Sequence, residues 1–411
     1  MGSTDAQDVE ILLTLSKQAV ASVNEYKATQ KIDDRLQALE QVRKLARALE
    51  QPGDTVYQLA LSPTILMAVK IAHDLDVFRV LSATTSFVTC EQLAAPKHSD
   101  VLLIERIMRV LVCNGFANER GPGKYGPTQL SRQMTMRTSI GTVECLFMDF
   151  LPVYHKTPKF LQETGYKNPA DPLHGPFQYA HQTSLSCWDW LARNPGAMDR
   201  FNTFMEGSRA NAPHWAEYFP VQERLLDGVD LTNRPLLVDV GGGRGHDLLG
   251  FKYRFPCHPG KLILEELPSV INDIKTLDRG INPGARAYYL KHIMHDWSDE
   301  NCRTILKQIV AVMERGFSKV LIEDHILPDM NVGPRQTLLD MTVMAWCPGA
   351  ERSRRRWTKL LSSVGLVIKD FWLPDGDREG VIEAELQDTP PESPGAQGAR
   401  GSADVEQSAV F

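Results

Sequence analysis

The chain has 411 residues, 43% hydrophobic, 23% charged and 8% aromatic, enough apolar material for a sizeable core and a length that suits two domains. Its net charge of -6 argues against the clustered basic surface that duplex nucleic acid or an anionic membrane would select. The seven cysteines are dispersed and never spaced as Cys-x-x-Cys, which disfavours a disulfide framework or structural zinc and points to a reducing, cytoplasmic setting.

Residues 1 to about 50 read as helical, with the polar stretch NEYKATQKIDD as a loose connection. No basic patch followed by a long apolar run opens the chain, and no stretch approaches eighteen apolar residues, so no membrane span is expected. SPTILMAVKIAHDLDVFRVL predicts a helix with Pro63 near its first turn. Thr89 with Gln92 forms a capping-box pattern for a short helix, and Ser99 is placed to cap a longer one. In that longer helix Leu103, Ile107, Val110 and Leu111 share a face before Gly115 stops it. The Gly/Pro-rich FANERGPGKYGPT then reads as a hairpin, and three helices followed by a hairpin suggest a winged helix. Its third helix is mostly apolar, with Arg106 and Arg109 balanced by Asp100 and Glu105. That favours dimerisation or pocket lining over DNA binding.

Residues 141 to 230 are mainly helical and carry Trp188, Trp190, Phe201, Phe204 and Trp215. From 235 short apolar runs alternate with helical stretches, the pattern of a doubly wound parallel sheet. LVIKDFWLPD and GVIEAEL, joined by GDREG, predict an antiparallel hairpin. The tail from Gln387, rich in Pro, Gly and Ser, is expected to be disordered.

LLVDVGGGRGHD places Gly241, Gly243 and Gly245 between a strand and a helix, where the chain must turn tightly and let a ligand approach. The dinucleotide fingerprint fails because residue 246 is His; the spacing suits a nucleoside without a pyrophosphate. Glu265 and Glu266 end the next strand and offer a carboxylate to ribose hydroxyls. YYLKHIMHDWSDE reads as a strand that stops on His295 at the carboxyl edge of the sheet, where open α/β sheets bind ligands, and Glu323 closes the VLIEDH strand in the same way. Asp296, Ser298, Asp299 and Glu300 also suit the start of the following helix. A histidine beside carboxylates suits general-base work, with a hydrogen-bonded structural histidine as the bland alternative. His292 and His295, three apart on a strand, are expected to face opposite ways, and no metal site is expected.

At these residues the chain resembles the plant and fungal S-adenosylmethionine-dependent O-methyltransferases, a caffeate O-methyltransferase-like family with an N-terminal winged-helix dimerisation domain. The resemblance runs over roughly residues 55 to 386 and is carried by VDVGGGRG, LKHIMHDWSDE, LIEDHILPD and DMTVMAWCPGAERS. It implies an α/β fold, a doubly wound Rossmann-like methyltransferase sheet behind an all-α winged-helix dimerisation domain. The expected division is a helical N-terminal region over 1–140, a substrate-binding and methyltransferase region over 141–386, and the tail 387–411. It also implies S-adenosyl-L-methionine as cofactor, a homodimer, no metal, and an aromatic or polyketide-type acceptor of secondary metabolism.

Carried over residue by residue, His295 corresponds to the base that takes a proton from the acceptor hydroxyl, and Glu323 and Glu351 to acids that flank it. Asp239, Gly241, Gly243, Gly245, Glu266 and Lys291 correspond to cofactor-binding positions. Phe201, Met205, Asp296 and Met344 match the region that grips an aromatic acceptor, with core packing as the other reading of the apolar three. The implied reaction is direct displacement, a deprotonated hydroxyl attacking a sulfonium methyl in line. Between LPSVI and ARAYYL the family carries a further strand and an acidic-aromatic turn that contacts adenine; here only NDIKTLDRGINPG intervenes. Two other readings stay open, a family member that steers a dehydration or pericyclic step instead of methylating, and a regulatory or scaffold protein.

Overall fold

Two helices open the chain, α1 (Thr4–Thr29) and α2 (Ile32–Leu49), and the polar stretch between them breaks where Gln30 takes a φ of 57°. The computed structural model describes residues 4–209, 213–232, 234–266, 284–376 and 378–388. The chain divides into two units, one formed by Met1–Tyr166 with Pro176–Ala212, the other by Lys167–Gly175 with Pro213–Phe411.

In the first unit α3 (Pro52–Leu61) and α4 (Pro63–Asp74) each carry a proline in the first turn, where its missing N–H costs nothing. Asp76, at φ 61°, ends that run and starts α5 (Val77–Ala83), so the single expected helix is split. The stretch Pro52–Asp74 is long and apolar enough to cross a membrane, and little of it is buried. Asp54, Gln58, Ser62 and Lys70 interrupt it, so it is not the unbroken apolar run that the sequence reading looked for.

A winged-helix core follows. β1 (Val88–Thr89) leads into α6 (Cys90–Ala94), whose Thr89–Gln92 capping box forms as expected. The next helix, α7 (Val101–Cys113), is capped by Asp100 and not Ser99; Asp100 Oδ1 accepts from the Leu103 amide at 3.0 Å. Its buried face is Ile104, Ile107, Met108 and Leu111, and Leu103 is exposed, so the face turned to the core lies one residue round from the expected one. β2 (Ala117–Glu119) and β3 (Lys124–Pro127) form the hairpin, and the three strands lie in the order β1-β3-β2.

Helices α8 (Gln129–Gln133), α9 (Arg137–Cys145), α10 (Leu151–Glu163), α11 (Pro176–His181), α12 (Cys187–Arg193) and α13 (Pro195–Arg209) complete this unit. The sequence boundary at residue 140 therefore falls inside a helix of one unit. α9 and α13 approach so closely that a β-carbon on Gly141 would collide with Thr203, and Arg200 grips the buried Asp149 with two bonds of 2.8 and 2.6 Å.

The second unit is built on a six-stranded sheet in the order β10-β11-β7-β6-β4-β5. β4 (Pro235–Val240), β5 (Lys261–Glu265), β6 (Ala287–Lys291) and β7 (Lys319–Asp324) run parallel, with α14 (His246–Arg254) after β4 and α15 (Asp299–Val312) between β6 and β7. β7 continues almost directly into β8 (Ile326–Leu327), which pairs in parallel with β9 (Arg352–Ser353) beyond α16 (Pro334–Trp346). After α17 (Arg354–Ser362), β10 (Leu366–Trp372) and β11 (Gly380–Leu386) form the expected antiparallel hairpin, and β11 pairs with β7. Tyr288, Leu290, Val320 and Ile322 are fully buried among α15 and α17 residues such as Leu306, Trp357 and Leu361. Burial of each such side chain contributes roughly 1.5–3 kcal/mol and fixes the inner strands.

Among the described residues β5 is one edge of this sheet. Residues 267–283, which hold most of the shortened segment, and 389–411, nearly all of the expected tail, lie outside the described residues.

Candidate active site

The chain leaves β4 toward β5 on one side and later crosses to β6 on the other, so a switch point opens at the carboxyl end of β4. Gly241, Gly243 and Gly245 turn there with φ of 73°, 59° and 75°, a region that side chains rarely adopt. A β-carbon on Gly242 would overlap Asp239, which is buried under the turn, whereas one on Gly243 would meet nothing within 4 Å. The carboxylate of Glu266 reaches back over the turn, its Oε2 accepting from the Gly243 amide at 2.9 Å. Asp239, the three glycines and Glu266 are thus gathered in one place, as the sequence predicts for a nucleoside cradle.

Lys291, the last residue of β6, lies 3.0 Å from Asp247 Oδ1 on α14 and 3.3 Å from Glu323 Oε2. β6 and β7 are in register at Lys291 and Glu323, and opposed residues share a face of the sheet. Glu323 also accepts from the hydroxyls of Tyr289 and Tyr218, the latter at 3.3 Å. It therefore stands with Lys291, Tyr289 and Tyr218 and not, as expected, on the flank of His295.

His295 itself lies beyond the strand, in a single 3-10 turn, Met294–Asp296, because β6 ends at Lys291 and His292 turns aside with φ 53°. Its Nδ1 is 2.9 Å from Glu351 Oε1 and 3.8 Å from Asp324 Oδ1, and its Nε2 is 3.4 Å from Asp296 Oδ1. The acid from β7 is thus Asp324. Successive strand residues point to opposite faces, so moving one position from Glu323 changes the side on which the carboxylate emerges. The parallel β8–β9 pair aligns Ile326 with Arg352 and so brings Glu351 to the end of β7, close enough for its charge to act on Asp324. The Glu351 amide donates to Asp340 Oδ1 at 2.8 Å, which holds it from the α16 side.

These acids are almost completely buried, Asp324 at 0% and Glu351 at 2% exposure. Burial alone would depress His295, but Glu351, Asp296 and Asp324 together hold it well above its ordinary value. Burial pushes Asp324 and Asp296 up, the attraction of His295 notwithstanding. Burial also opposes the charge on Glu351, but there the direct contact with His295 wins and its carboxyl stays low. In the neutral tautomer that donates Nδ1–H to Glu351, Nε2 is the basic nitrogen of the ring.

Two residues that carry the turn, both inside DMTVMAWCPGAERS, were not singled out in the sequence. Arg352, wholly buried, donates to the carbonyls of Met294 at 2.8 Å and Trp297 at 2.7 Å and to Asp299 Oδ1 at 2.8 Å, closing the turn from below. Gly349 passes against the backbone of His295 and Asp296. Asp296 also lies 3.2 Å from the Cys347 thiol. The other expected acceptor residues are distributed: Met344 is half-buried on α16 in this unit, while Phe201 and Met205 are half-buried on α13 in the first unit. Phe201 meets Trp188 edge-on at 5.7 Å.

His292 contradicts a further expectation. It does not face away from His295: the two rings stack, with centroids 5.3 Å apart and planes 19° from parallel, because the strand has already ended. Among the described residues the group of side chains arranged as a metal could use is His73, Asp74 and Glu144 in the first unit, where the Lys70 ammonium already lies 2.5 Å from Asp74.

Residues 168–367 match the family model of the O-methyltransferase domain, and residues 57–137 that of the O-methyltransferase dimerisation domain. Similar proteins include O-methyltransferase penC of Penicillium thymicola, 33% identical over 85% of this chain and 91% of the relative. O-methyltransferase mfmE of Annulohypoxylon moriforme is 35% identical over 86% and 91%. Among solved structures, LepI in complex with SAM superposes with a TM-score of 0.81 at 24% identity, covering 93% of this chain and 100% of that one. OxaC in complex with SAH and oxaline gives a TM-score of 0.79 at 21% identity over 92% and 100%. At those identities the superpositions establish the fold.

Proposed function

The chain belongs to the S-adenosyl-L-methionine-dependent O-methyltransferase family, and we propose that it methylates a phenolic or enolic hydroxyl of a fungal secondary metabolite with His295 as general base. The observation that carries this reading is the setting of His295, its Nδ1 held 2.9 Å from Glu351. Asp239, Gly241, Gly243, Gly245, Glu266 and Lys291 would hold the cofactor: the glycine turn leaves open space at Gly243, and Glu266 stands over it as a carboxylate for hydroxyl donors. Bound there, S-adenosyl-L-methionine supplies a methyl group on a positively charged sulfur.

The residues of this chain handle the proton. A phenol has a solution pKa of about 10, by analogy with tyrosine, so its hydroxyl needs a base to become nucleophilic near neutrality. In its neutral form His295 takes that proton at Nε2, the oxygen keeps the electron pair for the new bond, and the resulting imidazolium is stabilised by Glu351, Asp296 and Asp324. Asp296 and Met344, in the unit that holds His295, are our candidates for gripping the acceptor. The dimerisation-domain match supports a homodimer, and the exposed apolar stretch Pro52–Asp74 overlaps it. Seven cysteines with no disulfide among them fit a cytoplasmic setting.

The test is calorimetric titration with S-adenosylhomocysteine, followed by transfer of labelled methyl from S-adenosylmethionine to a panel of phenols. Saturable micromolar binding and label on a phenolic oxygen are expected. Binding without transfer to any phenol would overturn the methylation reading in favour of a non-methylating family member.

A further inference from the structure

His292 is the side chain that the proposed chemistry leaves unused. It follows directly on β6 and takes a left-handed backbone conformation, φ 53°, that few residues other than glycine adopt. Its amide still donates to the Glu323 carbonyl at 3.1 Å, so the deviation begins where the ladder ends. The consequence is the stack on His295 at 5.3 Å. Behind the ring stands Glu379, just before β11, with Oε1 3.7 Å from His292 Nε2 and 3.2 Å from His325 Nε2. The side chains of His292, Glu379 and His325 are 11%, 9% and 3% exposed.

A strand terminus does not need this arrangement; a glycine would satisfy the same φ without strain. His295, meanwhile, is held at its nitrogens, by a 2.9 Å hydrogen bond from Nδ1 to Glu351 and by Asp296 3.4 Å from Nε2, whereas the stacked ring of His292 bears on its face. Burial, with the neighbouring His295 adding to it and the Glu379 contact opposing, pushes His292 down to about 4. His325 goes the other way, because its contact with Glu379 outweighs burial. Lys291, on the preceding residue, further disfavours a charge on His292. Glu379 and His325 thus form the ion pair, and His292 presents a neutral, flat face to a ring that must gain and lose a proton.

We propose that His292 is a positioning residue for the base: stacked on His295 and backed by Glu379 and His325, it fixes the plane of the catalytic imidazole. The inference rests on His295 serving as the base, but its test reads the ring itself.

The full-length dimer labelled with 15N-histidine would be examined by imidazole NMR with and without S-adenosylhomocysteine, the His295 signals being identified by their loss in H295Q. In the unaltered protein the His295 Nδ1–H resonance is expected to be sharp and protected from water. His292→Asn, which tolerates the left-handed backbone but removes the ring, is expected to speed its exchange about tenfold, and His292→Phe to bring it back to within about twofold. Glu379→Gln, which keeps both rings, should loosen the stack in the same direction and serves if the His292 variants fail to fold. A purely structural role would lower the melting temperature and leave His295 exchange in the folded protein unchanged; that result in His292→Asn or Glu379→Gln would overturn the proposal. Absence of S-adenosylhomocysteine binding in the unaltered protein would instead remove the functional reading, and the ring measurement would still stand.

Discussion

The backbone of Gly349 lies so close to that of His295 that position 349 has no room for a β-carbon, which would overlap the His295 carbonyl oxygen. The next amide, Ala350 N–H, donates to the same oxygen at 2.8 Å. Gly349→Ala must therefore push the base-bearing turn away from the segment that supplies Glu351. The expected result is a loss of roughly 1–3 kcal/mol in denaturant unfolding together with lower methyl transfer. An alanine variant with unchanged stability and turnover would contradict the close approach.

Replacing His295 by Ala should remove the base and leave the glycine cradle untouched. Turnover is expected to fall by about 10²–10⁴, with affinity for S-adenosylhomocysteine within about twofold of the original by calorimetry. Unchanged turnover would exclude the general-base role.

Asp324 and Glu323, adjacent on β7, should behave differently. Three carboxylates hold His295 above its ordinary value, so the active neutral ring appears as pH rises through that raised value. Asp324→Asn removes one of the three, lowers His295 and moves the rising limb of kcat against pH toward lower pH. Glu323→Gln leaves the limb in place and is expected to weaken cofactor binding through Lys291, which lies 3.3 Å from Glu323. A limb that moves with Glu323 and not Asp324 would reverse the assignment.

His292 makes a separate contribution to stability against pH. In the unfolded chain it takes up a proton near the ordinary histidine value of about 6.5, in the folded chain only at about 4. Between those values the unfolded state binds more protons, so stability is lost as pH falls through the window, by up to about 3 kcal/mol, and nothing is lost above it. Denaturant unfolding of the original and His292→Asn proteins at several pH values should show the variant with the shallower decline.

Tyr57 and Leu59 on α3 are 68% and 72% exposed within or beside the helices matched to the dimerisation domain. Leu59→Glu combined with Tyr57→Glu is expected to convert the dimer to a monomer at micromolar concentration, read by light scattering. Persistence of the dimer would place the interface elsewhere.

The elements that position the site were legible where residue type alone decides geometry. The glycines after β4 had to turn, the alternation of apolar runs had to make a parallel sheet, and a histidine beside acids near a strand end pointed to the cluster that forms around His295. What stayed hidden depends on register and endpoint. Glu323 and Asp324 differ by one position, which changes nothing in composition and exchanges the faces of the sheet. His292 and His295 were expected to diverge because β6 was carried four residues too far, past the φ of 53° that ends it. Arg352 and Gly349 act through the backbone of a segment more than fifty residues away, and only the folded chain brings that segment to them.

The chain changes units between Tyr166 and Lys167, again between Gly175 and Pro176, and again between Ala212 and Pro213. No single cut separates the two. A chimera with a relative made by one genetic crossover would inherit a mixed unit wherever the crossover fell between those points. Residues 167–175 have to travel together with everything after 212, so the catalytic unit is inherited as two non-adjacent pieces.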